Sequence, residues 1–420
     1  MKTVQRVERH IIVNNKQIDN LCFLSKNLYN YCNYILRQVY LQRFVNIPEF
    51  KDLIKTFKFK DKIFYKIKEY DLSTKLAKIN QSDFRALPSK TSQQVIKLLY
   101  KNWNCFYKAI KSYNSSNKTK FNGEPKIPSY KDKIKGRNVI IFTNQQTKLK
   151  NGFVHFPKQC NLEHIKTKVA KINQVRIVPQ ATCYVIEVVY TKEVKEYELD
   201  DKLYLGIDLG LNNLATCVNN VGLQPFIING KIVKSINQYY NKKKAYFQSL
   251  SCNDLFLTTK RIKRLTLKRN NKIEDYFHKT TRFIINYCLK YRIKKIVVGK
   301  NDGWKQEISL GKKSNQNFVS VPHNKIIMQL KYKAEEVGID VIETEESYTS
   351  KCSFLDLEEM KHQVQYLGKR VYRGMFVSKL GKKINADVQG AYNIIRKVVP
   401  GTFDGQGIEG LVLNPIIINR

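Results

Sequence analysis

Apolar residues recur at helical spacing from Lys16 to about Lys111: Ile18, Leu21, Cys22, Leu28 and Tyr29, then Ile35, Leu36, Val39 and Tyr40. They lie on one face of a 3.6-residue repeat. A second such stretch, Ser92 to Tyr107, carries Val95, Ile96, Leu99, Trp103 and Phe106. Most of this stripe is core, while the other faces are rich in Lys, Arg and Tyr. Ahead of it, Met1 to Val13 reads as an isolated strand. Ser112 to Asn138 has turn formers and lysines without a period, which predicts a flexible, charged connection. From Val139 to Thr191 short strands follow, VIIFT, GFVHF, QVRIV and CYVIEVVY. Together with the N-terminal strand they predict a small antiparallel barrel, discontinuous in sequence.

From Leu203 onward the order is strand, strand, strand, long helix, strand, helix, strand and a final helix. This mixed α/β pattern is compatible with an RNase H-like core. The long helix, Thr258 to Tyr291, divides in two. Its first half offers Lys260, Arg261, Lys263, Arg264, Lys268, Arg269 and Lys272; its second half carries Phe277, Phe283, Ile284, Tyr287 and Cys288. Seven cations with no acid before Glu274 repel one another unless a phosphate backbone lies alongside.

Composition strengthens that reading. Lys plus Arg number 75 against 35 Asp plus Glu, a net charge of +40 in 420 residues. A surplus of this size is the footprint of a polyanion partner, nucleic acid above all. The nine cysteines form no CxxC pair and lie mostly in apolar runs, as reduced, core-packed thiols do. No apolar run approaches the roughly 18 residues of a membrane span, and no secretory apolar region opens the chain. The expected location is the bacterial cytoplasm, on the nucleoid when DNA is bound.

In so basic a chain, acids at the ends of buried elements invite a catalytic explanation. YLGID ends an apolar strand on Asp208, with Gly206 and Gly210 permitting close approach of metal or backbone. Asp387 sits in the opening turn of a helix that Asn385 can cap. Phosphodiester hydrolysis in an RNase H-like site needs three or four carboxylates around two Mg2+ ions roughly 3.5–4 Å apart. Mg2+, with Mn2+ as a substitute, prefers such hard oxygen donors.

The ordered set GIDLGLNNLAT, IKKIVVGKNDGWKQ, SYTSKCSF and NADVQGAYNIIRK resembles the RuvC nuclease of TnpB proteins. These are transposon-encoded RNA-guided DNA endonucleases related to type V CRISPR effectors and Fanzor. LCFLSKNLYNYCNYILRQ, PSYKDK and GIEGLVLNP suit the same family, so the resemblance runs over essentially the whole chain. It implies a wedge-like barrel (1–16 and 118–198), a helical recognition region (17–117) and a RuvC domain (199–346 and 384–400). It also implies a degenerate zinc-finger-like insertion (347–383) and a C-terminal tail (401–420). The implied partners are a guide RNA from the transposon end and matching double-stranded DNA beside a short flanking motif, with base pairing reading the sequence.

Two departures from the family matter. Its usual second acid, a Glu closing the strand IKKIVVG, is Gly299 here. The acidic run after the next strand offers replacements. Glu346, just before the YTS motif, matches a relocated Glu in some relatives, with Glu345 and Asp302 as reserves. Asp208, Glu346 and Asp387 are therefore the expected catalytic and metal-binding set. The family's paired CxxC motifs are reduced to Cys352, and Asp356 and His362 do not restore four ligands, so no zinc is expected. The insertion should instead be held by Phe354, Leu355, Leu357, Tyr366, Leu367, Tyr372 and Phe376, with Lys369, Arg370 and Arg373 reaching nucleic acid. Gly299 keeps open an alternative, an RNA-guided DNA-binding repressor without cleavage. A strand-transfer transposase would need a different constellation.

Overall fold

The computed structural model describes residues 2–59, 62–115, 118, 121–250, 258–300, 321–403 and 413–419. They form two compact units, one of Gln5–Lys192 and one of Met1–Val4 with Glu193–Arg420.

In the first unit, strand β1 (Thr3–Ile12) leads to helix α1 (Lys16–Tyr40), which starts where the Asn15 side chain accepts the Ile18 amide. The apolar stripe of α1 is buried as its period requires. It shares a core with Val95, Ile96, Leu99 and Trp103, and the Trp103 indole donates to Asn33 Oδ1 at 3.0 Å. Lys55–Phe59 and Lys62–Lys66 interrupt the helical region as an antiparallel hairpin, β2 and β3. There the pairs Thr56–Tyr65 and Phe57–Phe64 favour strand over helix. Helices α2 (Glu69–Lys78), α3 (Ser82–Arg85) and α4 (Ser89–Asn114) complete the region.

The β region differs from the expected barrel. Strands β4 (Ile140–Thr143), β8 (Gln174–Pro179) and β9 (Tyr184–Glu193) join β1 in the order β1-β9-β8-β4. Strands β5 (Lys148–Lys150), β6 (Phe153–His155) and β7 (Ile165–Lys166) make a separate sheet. Each has three residues or fewer, too short to continue the larger ladder, so the described strands form two sheets without closure. The connection expected to be flexible is also corrected. The carbonyls of Pro128, Lys131 and Lys133 accept from Asn33, Asn30 and Lys26 of α1 at 2.7–3.0 Å. Side-chain donors thus satisfy a backbone that has no period of its own.

In the second unit, β10 (Asp200–Asp208), β11 (Asn213–Asn219), β12 (Phe226–Asn229), β13 (Ile293–Gly299) and β14 (Asp340–Thr344) build one sheet. Its order is β14-β13-β10-β11-β12, continued by β18 (Ile416–Ile418). Residues 401–420 are therefore more than a tail, because β18 pairs in parallel with β12. The long helix expected over 258–291 is α6 (Lys260–Lys290), and a further helix, α5 (Lys231–Ser249), precedes it. Alternation along β10 sends Leu205 and Ile207 into a core with α6 and with α7 (His323–Glu335). Gly206 and Asp208 face α8 (Ala386–Val398), whose Ala391 carbonyl comes close above Gly206.

Residues 347–383 carry the hairpin β15 (Lys369–Tyr372) and β16 (Met375–Val377), which β17 (Lys383–Asn385) extends. Phe354 and Phe376 are buried, and Phe354 stacks on Tyr392 of α8 at 4.5 Å. Leu367 and Tyr372 are exposed instead of packed, Tyr372 on a strand, β15, that is exposed at each of its four residues.

Candidate active site

Asp208 closes the central strand, and Asp387 opens the helix packed over it. The Asn385 side chain accepts the amides of Asp387 and Val388, which fixes the first turn of α8. Glu346 stands two residues past β14, where Thr349 closes a turn through the Glu346 carbonyl.

The Asp208 carboxyl feels the charges of the other two. Burial, Glu346 and Asp387, in that order, push the Asp208 carboxyl up to about 8. Burial alone raises Glu346 to about 7. Two glycines make room for this crowding. A Cβ on Gly390 would stand 3.1 Å from Asp208 Oδ2, and one on Gly299 only 2.5 Å from Glu346 Oε1. The Glu346 carboxylate thus lies over the position that lacks an acid in strand β13.

The other acids of the region lie elsewhere. Glu345 has a side chain 70% exposed, 4.0 Å from Lys397. Glu343 pairs with Lys300 at 2.7 Å and with Lys331, and both hold its carboxyl below the usual range. Asp302 lies outside the described residues.

Polar neighbours that sequence reasoning missed complete the cleft. Asn213 Nδ2 donates to Asp387 Oδ2 at 2.6 Å, and the Arg370 guanidinium lies 3.4 Å from Asp387 Oδ1. With Asn212, Lys231, Arg373 and Asp208 they line an open cleft of about 610 Å³. The only signal for Asn213 was a polar residue opening a buried strand five positions after Asp208.

The donors suit Mg2+ in kind, being carboxylate oxygens whose mutual repulsion a cation relieves. Among the described residues, however, no three His, Cys, Asp or Glu side chains stand close enough together to hold an ion as they are. In the insertion, the Cys352 thiol donates to the Lys361 carbonyl, while its own carbonyl accepts from Gln389 and Asn393.

The expected basic face is present on α6. Lys260, Arg261, Lys263, Arg264, Lys268 and Lys272 are exposed. Arg269 turns inward, donating to Asn237 Oδ1 at 2.8 Å and lying over the Tyr240 ring. Beside it a cavity of about 370 Å³ opens between α5 and α6, lined by Tyr239, Tyr240, Lys268 and Lys272. Lys369 and Arg373 are exposed on the insertion.

Known proteins match this arrangement piecewise. Residues 187–305 fit the OrfB_IS605 family model, described as a probable transposase, and residues 323–394 fit the Cas12f1-like TNB domain. A TnpB-like protein, ORF457 of Acidianus two-tailed virus, is 26% identical over 204 residues. Two separate stretches of the chain are thus similar to transposon-associated TnpB and Cas12f1-like proteins. The ORF457 match spans 46% of the chain and 41% of the viral protein. Among solved structures, the mini-RNA-guided endonuclease CRISPR-Cas phi3 aligns over 98% of the chain and 93% of its own length. Its TM-score is 0.50 at 10% identity, a likeness of fold. No helix among the described residues is long and apolar enough to cross a membrane.

Proposed function

We propose that the protein is an RNA-guided, Mg2+-dependent DNA endonuclease with an RNase H-like RuvC site, its guide derived from a transposon end. The observation that carries this reading is the meeting of Asp208, Glu346 and Asp387 charges beside a cationic cleft. The similarity to a solved RNA-guided endonuclease supports the same fold.

In this reading Asp208, Glu346 and Asp387 hold the metal. When bound, two Mg2+ ions supply activation of the attacking water and neutralisation of charge on the phosphate. Asn213 fixes the orientation of Asp387 through its 2.6 Å hydrogen bond. Arg370, released from Asp387, meets a non-bridging phosphate oxygen, and Lys231 and Arg373 draw the strand into the cleft. The exposed cations of α6 follow the nucleic-acid backbone and carry no sequence information.

The test is cleavage of a randomised-flank plasmid by protein co-expressed with its native downstream locus. Guide-dependent cutting that is lost in Asp208→Ala, Glu346→Ala and Asp387→Ala is expected. Guide-dependent binding with the plasmid intact in Mg2+ would establish the cleavage-free repressor instead.

A further inference from the structure

The turn that carries Asp208 is fastened from the helix layer opposite α8 by a residue no motif marks. His323 is 1% exposed, and its Nε2 lies 3.0 Å from the Gly210 carbonyl oxygen. That oxygen can only accept, so Nε2 bears the hydrogen and donates. His323 opens α7, whose Ile326, Ile327 and Leu330 share a core with Leu209 and Leu214 on either side of the turn. The imidazole is thus held on a rigid, packed platform.

The turn has work at both ends. Asp208 stands before it and Asn213 after it, and Asn213 grips Asp387 at 2.6 Å. Within it, the Gly210 amide donates to the Leu214 carbonyl at 3.3 Å, and the Asn212 carbonyl accepts the Gly230 amide at 2.7 Å. The Gly210 carbonyl therefore sits midway between the two acids' supports, and His323 is the side chain that fixes it. A leucine would suit the surrounding core better than an imidazole, and the Gly210 carbonyl is a polar partner that a buried ring requires.

We propose that His323 is a positioning residue. Its hydrogen bond to Gly210 sets the geometry of the turn that spaces Asp208 from the Asn213-held Asp387. This rests on the nuclease reading above. Losing the bond orphans a carbonyl beside the acids, and a displacement of about 1 Å at a reacting centre costs on the order of 100-fold in rate.

The experiment compares His323→Leu, which removes the donor, with His323→Gln, whose amide keeps one at similar reach. Three readouts are taken on the guide-loaded protein: hydrogen exchange of the 208–214 amides, Mn2+ binding by electron paramagnetic resonance, and cleavage in Mg2+. In the Leu variant, exchange over 208–214 should rise at least tenfold, Mn2+ binding should weaken, and kcat should fall at least tenfold with DNA affinity unchanged. The Gln variant should recover most of each. Wild-type exchange in His323→Leu, or a loosened turn with wild-type metal binding, would overturn the proposal. If even the wild type leaves DNA intact, the nuclease reading fails, while the exchange and Mn2+ data still decide the role of His323.

Discussion

Glu346 and Gly299 share one place in space: the carboxylate of the first fills the volume that a side chain on the second would need. The absence of a side chain at Gly299 in β13 and the placement of Glu346 after β14 are therefore coupled. Gly299→Ala should drive a methyl group into Glu346 and into Ile394, whose Cδ1 lies 2.6 Å from the Cβ position. The expected result is at least a tenfold loss of guide-dependent cleavage with guide binding retained. The double variant Gly299→Glu, Glu346→Gly, which returns the acid to the strand, should cut better than either single one. Equal activity of Gly299→Ala and wild type would refute the arrangement.

Glu345 and Glu346 are adjacent but not equivalent. Glu346→Gln should abolish cleavage, whereas Glu345→Gln, at the surface beside Lys397, should stay within about twofold of wild type. Plasmid cleavage time courses at saturating Mg2+ decide between them.

Acidity should act in a definite direction. Asp208 is raised in the fold from 3.8 to about 8, so the folded state binds more protons than the unfolded chain between those values. Metal-free protein should therefore lose stability as pH rises from about 4 to about 8. Asp208→Asn should remove that slope and add about 2 kcal/mol at pH 8, a fraction of the whole displacement at roughly 1.4 kcal/mol per unit. Urea unfolding at pH 5 and pH 8 measures it. In the proposed site, metal binding requires Asp208 and Glu346 ionised, so Mn2+ affinity should climb through the same range, from about pH 6 to 8.

Arg370 lies 3.4 Å from an acid that a cation also needs. Arg370→Ala should tighten Mn2+ binding, because Asp387 is released, yet slow cleavage at least tenfold, because the phosphate loses its guanidinium. Calorimetry of Mn2+ binding beside single-turnover rates would expose this split; a parallel loss of both would contradict it.

The exposed face of α6 predicts a salt effect. Replacing Lys260, Lys263, Lys268 and Lys272 with Gln should weaken nucleic-acid binding at 50 mM salt and flatten its salt dependence by roughly 0.9 log unit per lost phosphate contact. Inward-turned Arg269 belongs to another class, and its replacement should lower thermal stability through Asn237 and Tyr240. Filter binding across a salt series separates the two.

The periodic helices and the β10 strand could be read directly from the chain, because burial of Ile18, Leu99 or Ile207 imposes a spacing that survives in one dimension. Asp208 and Asp387 were legible for the same reason, each ending or opening an element with a clear pattern. What escaped depends on contacts between distant segments. Asn213 and His323 look unremarkable until the turn brings one to Asp387 and the other to the Gly210 carbonyl. The Pro128–Lys133 segment has no pattern, since its order comes from the amides and lysine of α1. The hairpin β2–β3 was hidden inside a stretch read as helical throughout, and β18 by an apolar run too short to assign.

Helix α8 has a consequence of a different kind. Two residues past Asp387 it presents Gln389, and four beyond that Asn393, both donating to the carbonyls of Thr349 and Cys352 in the chain just after Glu346. One rod therefore keeps the register of two acids at once. A tilt that shifts Asp387 carries Glu346 with it instead of pulling the pair apart. For an engineer this makes 346–398 a segment to exchange whole, onto a sheet that keeps Asn213 and Gly299, whereas exchanging the helix without the preceding loop would leave both amides gripping the wrong backbone.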